Sequence, residues 1–161
     1  MFPYDIIKLG LKLHKTEIYL DTSVPNAYLD NTKPERQRDT IEFWNRLNQY
    51  EVYISDFVLK EINQTKQRSR REELLNLVKP FTALIGERED IKELTQHYVM
   101  NNAIAIVEDA VHVAIAVIYK IGILVSWNYR HLVKLKTKQE VNAINLKNGY
   151  NTIEIVAPSM L

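Results

Sequence analysis

Glu17-Ile18-Tyr19-Leu20-Asp21-Thr22-Ser23-Val24 is a short apolar run that stops on three polar residues in succession. The run itself, residues 18–20, has the β-branched and aromatic character of a buried strand. Four more runs of strand length recur along the chain, at residues 52–55, 83–85, 123–126 and 153–156. Helical patterns fill the intervals. Pro34 opens a stretch in which Ile41, Trp44 and Leu47 recur at three-residue steps as far as Asn48, and Phe57, Val58 and Ile62 mark the next. Ser69-Arg70-Arg71-Glu72 has the form of a capping box ahead of Leu74, Leu75 and Val78. Residues 91–100, 107–119 and 138–146 continue the pattern, and Asn148-Gly149 is suited to end the last of these in a left-handed cap. Strands alternating with helices predict an α/β domain with a mainly parallel sheet of about five strands.

The 161 residues fit one such domain, and Leu, Ile, Val and Phe supply about a third of them, enough for a sizeable core. The longest apolar stretches are interrupted by Glu108 and Asp109 and are too short for a membrane-spanning helix, so no membrane association is expected. Residues 1–16 precede the first strand and are read as an N-terminal arm, with the domain at 17–161. Ile6, Ile7, Leu9, Leu11 and Leu13 make the arm too apolar for a solvated tail and predict that it packs on the domain or on a partner subunit. The arm lacks the basic start, apolar block and cleavage site of a signal peptide, which predicts a cytoplasmic protein. Zero cysteines exclude disulfides, thiolate catalysis and cysteine zinc sites. With 21 Lys+Arg against 20 Asp+Glu, net charge identifies no nucleic-acid binder, so any electrostatic footprint must lie in the distribution of charge.

Chemistry is expected beyond the carboxyl ends of parallel strands. Asp21 stands at such an end, although Asp-Thr-Ser is also a good helix N-cap. Glu61 follows the second strand on a helix, where a solvated glutamate is ordinary. Asp109 lies in Glu108-Asp109-Ala110-Val111-His112-Val113-Ala114-Ile115-Ala116, a helix so apolar that acids fit only its first turn. There they complement the helix dipole, or, facing inward, they serve a metal or a paired charge. Asn128 follows the fourth strand and is either a turn residue or a neutral oxygen ligand. His112, one turn from Asp109, reads as a packed or hydrogen-bonded structural residue.

Taken together, IYLDTSV (18–24), YISDFVLKEI (53–62), EDAVHVAIA (108–116) and ILVSWNYRHLV (123–133) resemble the PIN-domain nucleases, a family that includes the VapC-like toxin ribonucleases. The likeness runs from Glu17 onward and includes NLKNGYNTIEIVAP near the end. It implies a three-layer α/β/α sandwich and a metal-dependent endoribonuclease that hydrolyses RNA phosphodiester bonds. Carried over by position, Asp21, Glu61 and Asp109 become ligands of Mg²⁺ or Mn²⁺, and the hydroxyl of Ser23 beside the first becomes a substrate contact. The fourth acidic position of many members falls on Asn128, as auxiliary ligand or water orienter, which reduces the formal charge of the site by one. Hard divalent ions take oxygen ligands of this kind and activate water for attack at phosphorus. The resemblance also implies an antitoxin protein as a partner and pairing as a homodimer.

RNA further requires positive charge outside an acidic centre. Lys60, Lys66, Arg68, Arg70 and Arg71 cluster beside Glu61, and Arg130, His131, Lys134, Lys136 and Lys138 follow Asn128. Arg130, His131 and Lys134 are the candidate phosphate contacts, and Trp127 and Tyr129 are candidates for stacking a base, with core packing the commoner role for such a tryptophan. Two other readings stay open. A PIN-like module could bind RNA or protein without cleaving it, and a flavodoxin-like phosphoacceptor domain would be modified on Asp21. The absence of paired acids after the first strand weighs against the second.

Overall fold

The computed structural model describes residues 14–161. The strands are β1 (Thr16–Leu20), β2 (Tyr50–Ser55), β3 (Thr82–Leu84), β4 (Ile123–Val125) and β5 (Glu154–Val156). The α-helices among the described residues are α1 (Ser23–Tyr28), α2 (Pro34–Trp44), α3 (Asp56–Asn63), α4 (Arg68–Val78), α5 (Glu89–Met100), α6 (Val107–Ile118) and α7 (Leu135–Lys147). All strand pairs are parallel, in the order β3-β2-β1-β4-β5. Right-handed crossovers then place α1 to α4 on one face and α5 to α7 on the other, which makes a three-layer α/β/α sandwich. Contacts of α1 with α2 and α4, and of α5 with α6 and α7, follow this division.

Each expected strand is present. β1 is the middle strand, and its Ile18, Tyr19 and Leu20 are wholly buried, as expected for a strand covered on both faces. α6 is also buried at Ala110 and from His112 to Val117, its alanines allowing close approach to the sheet. The six-residue α1 has no counterpart in the sequence reading. It contains Pro25 and is too short for an apolar period to show. The Ser69 capping box does not form: α4 starts at Arg68, and its N-cap Gln67 makes no side-chain cap bond. The expected arm lies largely outside the described residues, and β1 already begins at Thr16, one residue before the expected domain boundary.

Three helices end alike. After α5, α6 and α7 the residues Asn102, Lys120 and Gly149 take φ values of 55°, 60° and 79°. In each case the next residue donates back to the last turn, as Ile121 N–H does to Ala116 O at 2.9 Å. The Asn148-Gly149 cap thus forms as the sequence predicts. Lys120 adopts the same left-handed conformation with a Cβ, and its side chain is exposed. Lys120→Gly should therefore stabilise the fold by about 0.5–1 kcal/mol, read as a higher denaturant midpoint at unchanged m-value.

Candidate active site

In a doubly wound sheet the crevice opens where the direction of winding reverses. Here that point lies between β1 and β4. Asp21 follows β1 directly and is tied to the neighbouring strand by its N–H, which donates to Val125 O at 3.2 Å. Ser126, Trp127 and Asn128 follow β4. Glu61 comes from α3 behind β2, and Asp109 from the first turn of α6, the helix that leads into β4. The topology therefore directs all four candidate residues to one edge of the sheet.

Asp21 is only 4% exposed. Its Oδ1 accepts from Ser23 N–H at 3.0 Å and from the Ser23 hydroxyl. The carboxylate therefore does receive the first free N–H of α1, as a capping residue would. Burial pushes the carboxyl up, against the opposing influence of His112, Ser126 and Ser23. Ser23 Oγ also accepts Trp127 N–H at 2.8 Å and stands 3.5 Å from Ser126 Oγ. Ser23 is thus a brace between the ends of β1 and β4.

Glu61 is held by two neighbours, the Thr22 hydroxyl and His112 Nε2, the latter at 2.9 Å. Burial opposes its ionisation, but the hydrogen bonds from His112 and the Thr22 hydroxyl outweigh it and leave the carboxyl below its ordinary value. His112 is buried. Its Nδ1 meets the Tyr19 hydroxyl at 2.9 Å, and that hydroxyl meets Ser55 Oγ at 2.8 Å. Ser55 Oγ in turn accepts Val58 N–H at 3.2 Å, as the N-cap of α3. With His112 neutral and its proton on Nε2, every hydrogen in this chain has an acceptor: Ser55 to Tyr19, Tyr19 to Nδ1, Nε2–H to Glu61. The histidine is the bonded structural residue its sequence context suggests.

Asp109 is half-buried and is raised mainly by burial, with the charge of Asp21 adding to the push and Asn128 opposing it. Its Oδ2 accepts from Asn128 Nδ2 at 2.9 Å. Asn128 Oδ1 accepts His131 N–H at 2.9 Å, and this backbone donor fixes which end of the amide faces Asp109. Asn128 therefore presents its NH₂ group to the site and acts on Asp109 as a positioning residue.

No lysine or arginine among the described residues pairs with Asp21, Glu61 or Asp109. Nor does any group of three His, Asp or Glu side chains among them stand close enough to enclose an ion. The donor chemistry nevertheless suits a hard cation. Asp21 is a buried carboxylate with only uncharged hydrogen-bond donors, and Mg²⁺ keeps most of its water and takes only one or two carboxylates directly.

The two basic runs fare differently. Arg70 donates to Leu29 O at 2.6 Å and Asn26 O at 2.8 Å, Arg71 to Thr65 O at 3.0 Å, and Arg68 pairs with Glu72 at 2.8 Å. These arginines brace α4, and only Lys60 and Lys66 of that run lack such partners. In the second run Arg130 and Lys134 are exposed and unpaired among the described residues, His131 is half-buried, and Lys136 reaches Glu140 only at 3.8 Å. Trp127 Nε1 donates to Thr40 Oγ1 at 2.9 Å, which makes it a packing residue, while Tyr129 lies exposed beside it. Thr22, Tyr19, Ser55 and Ser126 are site residues that the sequence reading did not single out. Only the polar ends of β2 and β4 hinted at the last two.

Fold and site together define an α/β domain with three carboxylates at the reversal point of a parallel sheet. No model of a known protein family matches the chain, and no curated protein sequence does so significantly.

Proposed function

We propose that this chain is a PIN-type, Mg²⁺- or Mn²⁺-dependent endoribonuclease, with the toxin of a toxin–antitoxin pair as the finer form of that reading. The observation that carries it is the gathering of Asp21, Glu61 and Asp109 toward one sheet edge, with no lysine or arginine among the described residues paired to them. A divalent ion, when bound, supplies Lewis-acid activation of water and charge neutralisation at phosphate. The chain's own residues prepare for this. Asp21 and Asp109 would supply the ion's carboxylate ligands. Thr22 and His112 hold Glu61 ionised and fixed in direction, and Asn128 aims Asp109. Arg130 and Lys134 are free to take backbone phosphates on the side of β4. Among the described residues no helix is long and apolar enough to cross a membrane.

The test is cleavage of single-stranded RNA with Mg²⁺ or Mn²⁺, stopped by chelator. Binding without cleavage across a broad RNA panel would favour the non-catalytic module instead. Asn128→Asp sharpens the test. It replaces the amide that donates to Asp109 with a second carboxylate, so the metal-free variant should melt lower than wild type. Added Mg²⁺ should then raise its midpoint by more than it raises that of wild type. Equal metal-induced shifts in the two proteins would exclude Asp109 from the ion's surroundings.

A further inference from the structure

A groove of about 490 Å³ runs between α3, the turn after β3, α5 and the start of α6. Phe57, Val107 and Val111 provide apolar walls, and Lys60, Lys92 and Gln96 provide polar ends. The groove approaches the site from the side of Glu61. Phe57 and Glu61 lie one turn apart on α3, and the Phe57 ring meets His112 edge-on, with centroids 5.1 Å apart, while His112 holds Glu61. Val107 and Val111 share a face of α6 one turn apart, the face turned away from Asp109, which stands two residues from each.

Its size falls in the range of small-molecule sites. Among the described residues Lys60 has no carboxylate partner, Lys92 has only Glu89 at 3.9 Å, and the Gln96 amide makes no hydrogen bond. Of the two acids in the lining, Asp56 is engaged by Gly86 N–H at 2.8 Å. That contact also fixes the wall, since a Cβ on Gly86 would meet Asp56 Oδ1 at 2.8 Å and Ile115 Cδ1 at 3.0 Å. What remains is an apolar slot beside two cations, a free amide and the second acid, Glu87, close to Glu61.

We propose that this groove is a nucleotide subsite. One unpaired nucleotide of the RNA places its base between Phe57 and the two valines and its phosphate on Lys60, so that the next phosphodiester lies toward Glu61. The assignment rests on the nuclease reading and narrows its substrate to RNA whose nucleotide beside the scissile bond is splayed out of the stack.

Binding of nucleoside monophosphates to the full chain in chelator, followed by NMR, tests the subsite without any cleavage. AMP, GMP, CMP or UMP should shift the signals of Phe57, Val107 and Val111, and inorganic phosphate alone should not. Lys60→Ala should weaken monophosphate binding about tenfold while leaving the parent nucleoside unchanged. Val107→Trp, at a position 52% exposed, should block both. No shift at these residues with any of the four nucleotides, or the same shift with phosphate alone, overturns the subsite. RNA cleavage that persists without nucleotide binding here sinks the subsite alone. Nucleotide binding without metal-dependent cleavage upholds the subsite and sinks the nuclease reading.

Discussion

Asp21→Asn should abolish metal-dependent RNA cleavage while raising the melting midpoint of the metal-free protein. The loss of activity should be at least a hundredfold, the upper end of what removing a mere outer partner does to a metal site. The gain in stability follows from burial. An almost inaccessible carboxylate, without a basic partner, is pushed above its ordinary pKa, so ionising it at neutral pH works against the fold. An asparagine keeps the oxygen that accepts from Ser23 and carries no charge. The sign with pH follows from the same shift. The folded state holds the Asp21 proton more tightly than the unfolded state does, so this residue's contribution to stability declines as pH rises from the unfolded value through the folded one. Wild type without metal should therefore gain on the variant as the pH is lowered from neutral into that window. Added Mg²⁺ should raise the midpoint of wild type and not of Asp21→Asn. A variant that cleaves RNA normally would remove Asp21 from the machinery.

His112→Phe should be among the most damaging single changes to stability outside the apolar core. The imidazole joins Tyr19 to Glu61, and a phenyl ring of similar size leaves the buried Tyr19 hydroxyl short of an acceptor and Glu61 short of a donor. Each buried polar group so orphaned costs roughly 1–3 kcal/mol, which puts the variant about 2–4 kcal/mol below wild type in chemical denaturation. Adding Tyr19→Phe removes the orphaned hydroxyl along with its partner. The double variant should consequently lose less than the two single losses added together, a coupling that a double-mutant cycle measures directly. Additive losses would show that the Tyr19–His112 bond contributes nothing of its own.

The fold was legible because its strands are short β-branched runs set between helical stretches, a pattern that survives without any knowledge of contacts. The carboxylates were legible for a related reason, since strand ends and helix starts can be read locally. What surrounds them could not be read this way. Tyr19 finds Ser55 at a separation of 36 residues and His112 at 93, and Ser23 finds Trp127 at 104. No local window contains such pairs. The basic run after β2 looked like a phosphate rim because sequence shows charge but not reach: the long side chains of Arg70 and Arg71 turn back onto carbonyls of their own fold.

The adjacency of β1 and β4 has a consequence in time. Asp21 leaves the ribosome more than a hundred residues before Ser126 and Asn128, an interval of about 5–20 s at ordinary rates of synthesis. Until β4 emerges, β1 has an open edge where Val125 will accept the Asp21 N–H, Ser23 has no Trp127 to brace, and Asp109 has no Asn128 to aim it. A nascent chain stopped between residues 110 and 122 therefore carries all three carboxylates and no assembled site. Under the proposed nuclease reading, activity would begin only near the end of translation.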